Sequence, residues 1–193
     1  MIEARDIELL FKKQLEGIQD RELRNNVVKT WVLACERGKW ESIEALRKIP
    51  FTLLTETHGV NFIEHTIAVT ESAVALGRAQ VETYASLPYK IDFDRLYAGS
   101  LLHDVGKLME YEPDGSGGYR MTLFGKYTRH PVSGAILAKE CEVPQDILNT
   151  IVCHAREGDG RPQVVEAVFI HQADFATFNP LMMKQKGLLI EGE

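Results

Sequence analysis

Six histidines stand in this chain, and four of them, His65, His103, His130 and His154, fall one on each of four successive segments with helical patterning. Imidazole is the commonest protein ligand for transition metals, and packed helices can each aim one side chain into a shared interior site. Taken singly, any of the four reads as a satisfied core or surface residue. The His103-Asp104 doublet changes that reading. It lies within Leu101-Leu102-His103-Asp104-Val105-Gly106, an apolar stretch in which an unpaired carboxylate is costly to bury. Adjacent helix residues point about 100° apart, so the two side chains meet different surroundings unless one attractor draws both. A cation does so. Asp174, on the last helical segment, offers a second carboxylate. Imidazole and carboxylate without thiolate suit Mn, Fe, Co, Ni or Zn better than Ca.

Four basic residues adjoin these positions and could meet an anion. Lys107 lies one helical turn beyond His103, Arg129 immediately precedes His130, and Arg156 and Arg161 follow His154. Surface solvation competes with that role, most of all for Arg156 and Arg161. His171 lies three residues before Asp174 and shares roughly its helix face, whereas His58 falls in a predicted loop. A structural or surface role is expected for both, and Cys153 is expected to pack as a small apolar residue.

The elements that must position these groups are helical. Ile7, Leu10, Phe11, Leu15 and Ile18 mark one stripe, and Leu23, Val27, Val28, Trp31 and Val32 mark another after an Asp20 cap. A short helix is predicted over 41–48, ended by Pro50. One long helix is predicted over 61–86, followed by another capped by Asp94 and running through Leu96, Leu101, Leu102 and Val105. Residues 112–129 carry four glycines and read as a loop that could hold a short hairpin. Helical spacing returns over 131–139, 145–155 and 164–178. With strand alternation nearly absent, the fold class is all-α.

At 193 residues, 45% hydrophobic and 26% charged, the chain can bury one sizeable core. Residues 1–50 are expected to form a helical cap packed on a domain spanning 51–193, one structural domain overall. No apolar run spans a bilayer, and the start MIEARDIELL lacks the marks of a signal peptide. Three widely spaced cysteines fit neither a disulfide framework nor a thiolate metal site, so the expected compartment is the cytoplasm. The net charge of −6 is concentrated after residue 50, which argues against a broad phosphate-tracking surface but not against a small phosphorylated substrate.

The order His65, His103-Asp104, His130, His154, Asp174, with the local context His103-Asp104-Val105-Gly106-Lys107 and Glu166-Ala167 before Asp174, resembles the HD superfamily of metal-dependent phosphohydrolases. The pattern is that of its binuclear H…HD…H…H…D members in the HDxGK variant, and it spans residues 61–178. The resemblance implies an HD helical bundle with extra N-terminal helices. It implies two divalent transition-metal ions, one held by His65, His103, Asp104 and Asp174, with Asp104 bridging to a second held by His130 and His154. A hydroxide bridging the metals would then attack phosphorus, with Asp104, Lys107 and Arg129 serving catalysis and Lys107, Arg129, Arg156 and Arg161 binding substrate.

Within that superfamily, the stretch after His154 departs from the cyclic-dinucleotide HD-GYP group, having Ala155 and Gly160-Arg161-Pro162 at the diagnostic positions. The motif layout is closer to HD-type 3′-to-5′ exoribonucleases, but no β-rich stretch offers a nucleic-acid module. The expected substrate is therefore a nucleotide or other small phosphoester, as monoester or diester, with nucleic-acid ends left open. Di-iron oxygenases of the myo-inositol oxygenase type share the six-ligand order and the HDxGK lysine, so they stand as the alternative class.

Overall fold

A computed structural model gives the fold and describes residues 1–190; the last three positions of the expected 51–193 segment lie outside the described residues. The chain begins with α1 (Ala4–Leu10), α2 (Lys12–Leu15), α3 (Arg21–Gly38) and α4 (Ile43–Leu46). There follow α5 (Phe62–Thr83), α6 (Phe93–Leu102) and α7 (Lys107–Glu110), then a hairpin of β1 (Tyr111–Pro113) and β2 (Tyr119–Met121). The remainder is α8 (Leu123–Tyr127), α9 (His130–Glu140), α10 (Gln145–Cys153) and α11 (Val165–Gln185). The class is all-α, as the hydrophobic spacing implies, and the arrangement is a helical bundle with extra N-terminal helices, as the resemblance implies.

α5, α6 and α11 pack together on one side, α9 and α10 pair on the other, and α3 lies across α6, α7 and α9. One continuous apolar core runs from Ile7 and Phe11 through Trp31 to Phe62, Leu101 and Ile151. Trp31 is fully buried, with ring centroids 4.8 Å from Phe11 and 5.6 Å from Phe62. Burying Phe11 and Phe62 stabilises the fold by about 1.5–3 kcal/mol each.

Several boundaries differ from the sequence expectation for local reasons. The first stripe is split at Phe11, whose ψ of 25° interrupts the helix; Ile7, Phe11, Leu15 and Ile18 nevertheless remain on one buried face. α6 is capped by Asp92, which accepts from the Arg95 amide, and not by Asp94. Asp94 instead accepts from the Gln19 and Asp20 amides at 2.7 and 2.8 Å, tying the N-terminal segment to the bundle. α11 continues past the expected end at Phe178 and through Pro180. Proline has no N–H for the Ala176 carbonyl, and the exposure of both residues leaves that carbonyl to water. Within 112–129 the backbone forms the hairpin, antiparallel with Tyr111 opposite Met121, and also the short α8.

The break between α6 and α7 decides the site. Helical continuity ends at Leu102, so the carbonyls of this turn need other partners. The Ser100 carbonyl accepts from His103 Nδ1 at 2.6 Å, Leu101 from the Trp31 indole at 3.0 Å, and Leu102 from the Val105 amide at 3.1 Å. Beyond the turn, the Trp40 indole donates to the Leu108 carbonyl at 2.7 Å. Gly106 lets α9 approach: a Cβ there would lie 2.3 Å from the His130 carbonyl oxygen.

Candidate metal centre

The structure brings His65, His103, Asp104, His130, His154 and Asp174 into one cluster in the bundle interior. His65 comes from α5, His103 and Asp104 from the turn after α6, His130 from the first residue of α9, His154 from just beyond α10, and Asp174 from α11. Asp104 is the hub. Its Oδ2 lies 3.4 Å from His65 Nε2 and 3.3 Å from His103 Nε2, while its Oδ1 lies 3.2 Å from His130 Nε2 and 3.5 Å from His154 Nε2. Asp174 Oδ1 stands 3.2 Å from His65 Nε2. All but Asp174 are buried; its side chain is 18% exposed, opening the cluster to one side.

The outer nitrogens of the four rings fix their inner ones. His103 Nδ1 and His154 Nδ1 face the carbonyls of Ser100 and Ile151, at 2.6 and 2.7 Å. A carbonyl only accepts, so both nitrogens carry the proton. Glu110 Oε2 accepts from His130 Nδ1 at 2.8 Å. Thr177 Oγ1 commits its own proton to the Asp174 carbonyl at 2.8 Å and so accepts from His65 Nδ1 at 3.2 Å. In the neutral rings every Nε2 is thereby left as a lone pair aimed inward, which is how outer-shell partners orient metal-binding histidines. His65 Nε2, His103 Nε2 and Asp104 Oδ1 are buried without any hydrogen-bond partner. Two groupings, His65-His103-Asp104 and Asp104-His130-His154, have the spacing to hold a metal ion. The nitrogen and oxygen donor set fits divalent transition metals.

Charge is finely balanced here. Burial alone would raise the Asp174 carboxyl, yet the His65 ring, with Nε2 3.2 Å away, brings it down to about 2. Burial also opposes protonation of His65, but Asp104 and Asp174 beside it carry its pKa upward. A divalent cation satisfies the same carboxylates and displaces that proton. His130 lacks such compensation, and burial lowers its pKa toward the neutral ring. Lys107 stays charged despite burial because Asp104 faces it.

Of the basic residues, Lys107, Arg129 and Arg156 line a cavity of about 750 Å³ that reaches the cluster, whereas Arg161 stands exposed outside that lining. Lys107 Nζ donates to Asp104 Oδ2 at 2.5 Å and to the Phe51 carbonyl at 2.7 Å. Of its three N–H donors, one remains for a ligand. Arg129 Nε pairs with Glu110 Oε1 at 3.1 Å. His171 donates from Nδ1 to the His154 carbonyl at 2.7 Å and stacks on Phe175, holding the backbone of a cluster residue. His58 is exposed in a loop with a φ of 50°.

Two contributors escaped the sequence reading. Glu110, fully buried, accepts from both the His130 amide and Nδ1 at 2.8 Å and also meets Arg129. Its spacing of seven residues from His103 and three from Lys107 places it on their helical face, which was the available signal. Phe51 stacks on His65 with ring centroids 4.3 Å apart, while its carbonyl holds Lys107. Nothing in its spacing marks it.

Residues 62–175 match the HD domain family, and the chain belongs to it. Among curated proteins it is 28% identical over 134 residues to Ribonuclease Y of Pseudothermotoga lettingae, an alignment covering 69% of this chain and 21% of that protein. It is 29% identical over 136 residues to Ribonuclease Y of Thermoanaerobacter pseudethanolicus, with the same two coverages. It is 27% identical over 170 residues to the dihydroneopterin 2′,3′-cyclic phosphate phosphodiesterase of Methanocaldococcus jannaschii, covering 85% of this chain and 66% of that one. The chain thus spans about a fifth of the length of the ribonuclease relatives. No solved structure matches it. Among the described residues, no helix is long and apolar enough to cross a membrane.

Proposed function

We propose that this chain is a metal-dependent phosphohydrolase whose substrate is a nucleotide or other small phosphoester, with two divalent transition-metal ions sharing Asp104. The observation that carries this reading is the division of the Asp104 carboxylate: one oxygen faces His65 and His103, the other His130 and His154. Membership of the HD family supports a hydrolase. The relatives' names, a ribonuclease and a cyclic-phosphate phosphodiesterase, favour a diester.

When bound, such a pair of ions supplies Lewis acidity to phosphate oxygens and brings a water toward its deprotonated form near neutral pH. The remaining work belongs to side chains. His65, His103 and Asp174 hold one side of the site, His130 and His154 the other, and Asp104 joins them. Lys107 keeps Asp104 ionised and directs its free N–H toward the cavity, where a phosphate oxygen would accept it. Arg129 and Arg156, on the cavity wall, place further positive charge at a phosphoryl group. Glu110 fixes the His130 ring and steadies Arg129. An acidic chain with net charge −6 and a cavity of about 750 Å³ suits a compact ligand better than a polynucleotide track. The free cysteines fit a reducing cytoplasm.

The test is hydrolysis of bis-p-nitrophenyl phosphate and of nucleoside cyclic phosphates, run without oxygen, by protein loaded in turn with Mn²⁺, Co²⁺, Ni²⁺ or Zn²⁺. Oxygen-independent release that disappears in His103→Ala is the expected result. Inactivity on every ester, with iron-dependent oxygen uptake on a polyol, would replace this reading by the di-iron oxygenase.

A further inference from the structure

The cavity lining is of two chemical kinds, and the proposed phosphohydrolase uses only one of them. One is the charged and metal-binding set that includes Asp104, Lys107, His130 and His154; the other is an apolar wall of Leu53, Leu54, Phe175, Phe178 and Met182, with the buried Phe51 packed against Phe178. We infer that this apolar wall seats a planar aromatic ring, so that the substrate is a phosphoester whose alcohol part carries a ring system.

The wall grows directly out of the metal centre. Asp174, Phe178 and Met182 recur at four-residue intervals along α11, which sets them on one stripe. At 1.5 Å per residue, Phe178 lies about 6 Å and Met182 about 12 Å along the helix axis from Asp174. A ligand whose phosphate lies beside Asp174 therefore extends past both. Extension of α11 through Pro180 makes this stripe possible, because a helix ending at Phe178 would not present Met182. Phe51 is anchored by stacking on His65 and meets Phe178 edge-on, with centroids 6.4 Å apart. Phe175 is held by stacking on His171 at 4.4 Å. The aromatic rings are thus fixed before any ligand arrives, which lowers the ordering cost of binding.

The occupant follows from this chemistry. Anchored aromatic faces and a polarisable thioether favour flat π surfaces, and base-on-aromatic stacking tolerates any base because each has a π-face. Leu54, 75% exposed, and Leu53, 37% exposed, stand at this wall as apolar groups that a bound ring would cover. The HD match ends at residue 175 and begins at 62, so Phe51, Leu53, Leu54, Phe178 and Met182 all lie outside it. Selection of the ring therefore belongs to this chain's own flanking segments.

This inference rests on the phosphohydrolase reading for the position of the phosphate, but its test does not need turnover. Calorimetric Kd values are measured on the whole 193-residue chain, loaded with Mn²⁺, for adenosine 5′-phosphate, ribose 5-phosphate and n-hexyl phosphate. Adenosine 5′-phosphate is expected to bind about tenfold or more tightly than ribose 5-phosphate, as loss of one stacked base implies. Phe178→Ala should remove that advantage while moving the ribose 5-phosphate Kd less than about twofold, and Phe178→Tyr should keep it. Met182→Ala, a milder change, should reduce the advantage without disturbing the fold. Equal affinity for the first two ligands in the unmodified protein, or equally tight binding of hexyl phosphate, overturns the ring wall. Ring preference without hydrolysis of any ester would remove only the phosphohydrolase reading, and hydrolysis without ring preference would remove only the wall.

Discussion

Glu110 holds His130 by accepting two hydrogen bonds, from the amide and Nδ1, at one carboxylate oxygen, and removing it frees the ring to turn and to change tautomer. Glu110→Gln is expected to weaken metal binding at the His130-His154 side by about 10–100-fold, the usual cost of losing an outer-shell partner. The His65-His103 side should be little affected, and titration with Mn²⁺ or Co²⁺ reads the two sides separately. Unchanged affinity at both would show that Glu110 only fills space. The contrast between Glu110 and the histidines explains what was legible at this scale. Imidazole and the His103-Asp104 doublet are chemically conspicuous, since few other needs put them in an apolar sequence. A glutamate three residues after a lysine on a helix reads as a solvated pair, and only burial reveals its task. Arg161 is the opposite case: sequence proximity to His154 suggests a phosphate contact, but the residue stands exposed outside the lining of the cavity.

Element by element, the N-terminal helices act on the site from behind. The indoles of Trp31 and Trp40 cap carbonyls on either side of the His103–Lys107 turn, at Leu101 and Leu108. Trp31→Phe keeps the aromatic packing but leaves the Leu101 carbonyl buried without its donor, at an expected cost of about 1–3 kcal/mol. Trp31→Ala also opens a cavity beside Phe11 and Phe62 and should cost about 3–5 kcal/mol. Urea denaturation of both variants checks this; a Trp31→Phe protein as stable as the unmodified one would mean that the hydrogen bond contributes nothing. Helix existence was readable because each stripe repeats at 3.6 residues, whereas ends were not. Asp92 and Asp94 are equally good caps in isolation, and the choice was made by Gln19 and Asp20, seventy-odd residues away, whose amides claim Asp94. Pro180 reads as a stop, and exposure on the solvent side of α11 is what allows the helix to pass it.

For the molecule as a whole, the folded state responds to pH and to metal in ways that the buried groups dictate. Cys35 lies in the core against the helices of the N-terminal segment, and burial pushes its thiol up to about 12. Its ordinary value is near 9, so between those limits the unfolded chain gives up a proton that the folded chain keeps. Stability should therefore fall as pH rises above about 9, by roughly 1.4 kcal/mol per unit from this group. Cys35→Ala should flatten that decline, as thermal melts from pH 8 to 10.5 would record. A decline unaltered by the substitution would assign it to other groups. Metal acts with the opposite sign. The cluster gathers two carboxylates and four inward lone pairs that only the folded chain brings together, so a cation that binds there stabilises the fold. At a hundred times its Kd, one ion adds about 2.7 kcal/mol, and chelation should lower Tm accordingly.

Whether two cations share Asp104 is decided by counting metal. Protein purified without chelator, reloaded with Mn²⁺ or Co²⁺ and freed of excess, is analysed by inductively coupled plasma mass spectrometry beside Asp104→Ala, His130→Ala and His103→Ala. About two ions per chain are expected in the unmodified protein and about one in His130→Ala, with the ion retained on the His65-His103 side. In Asp104→Ala, both sides should be depleted. Full, equal occupancy in Asp104→Ala, or a single ion per chain that His130→Ala leaves untouched, would contradict the sharing of Asp104 by two cations.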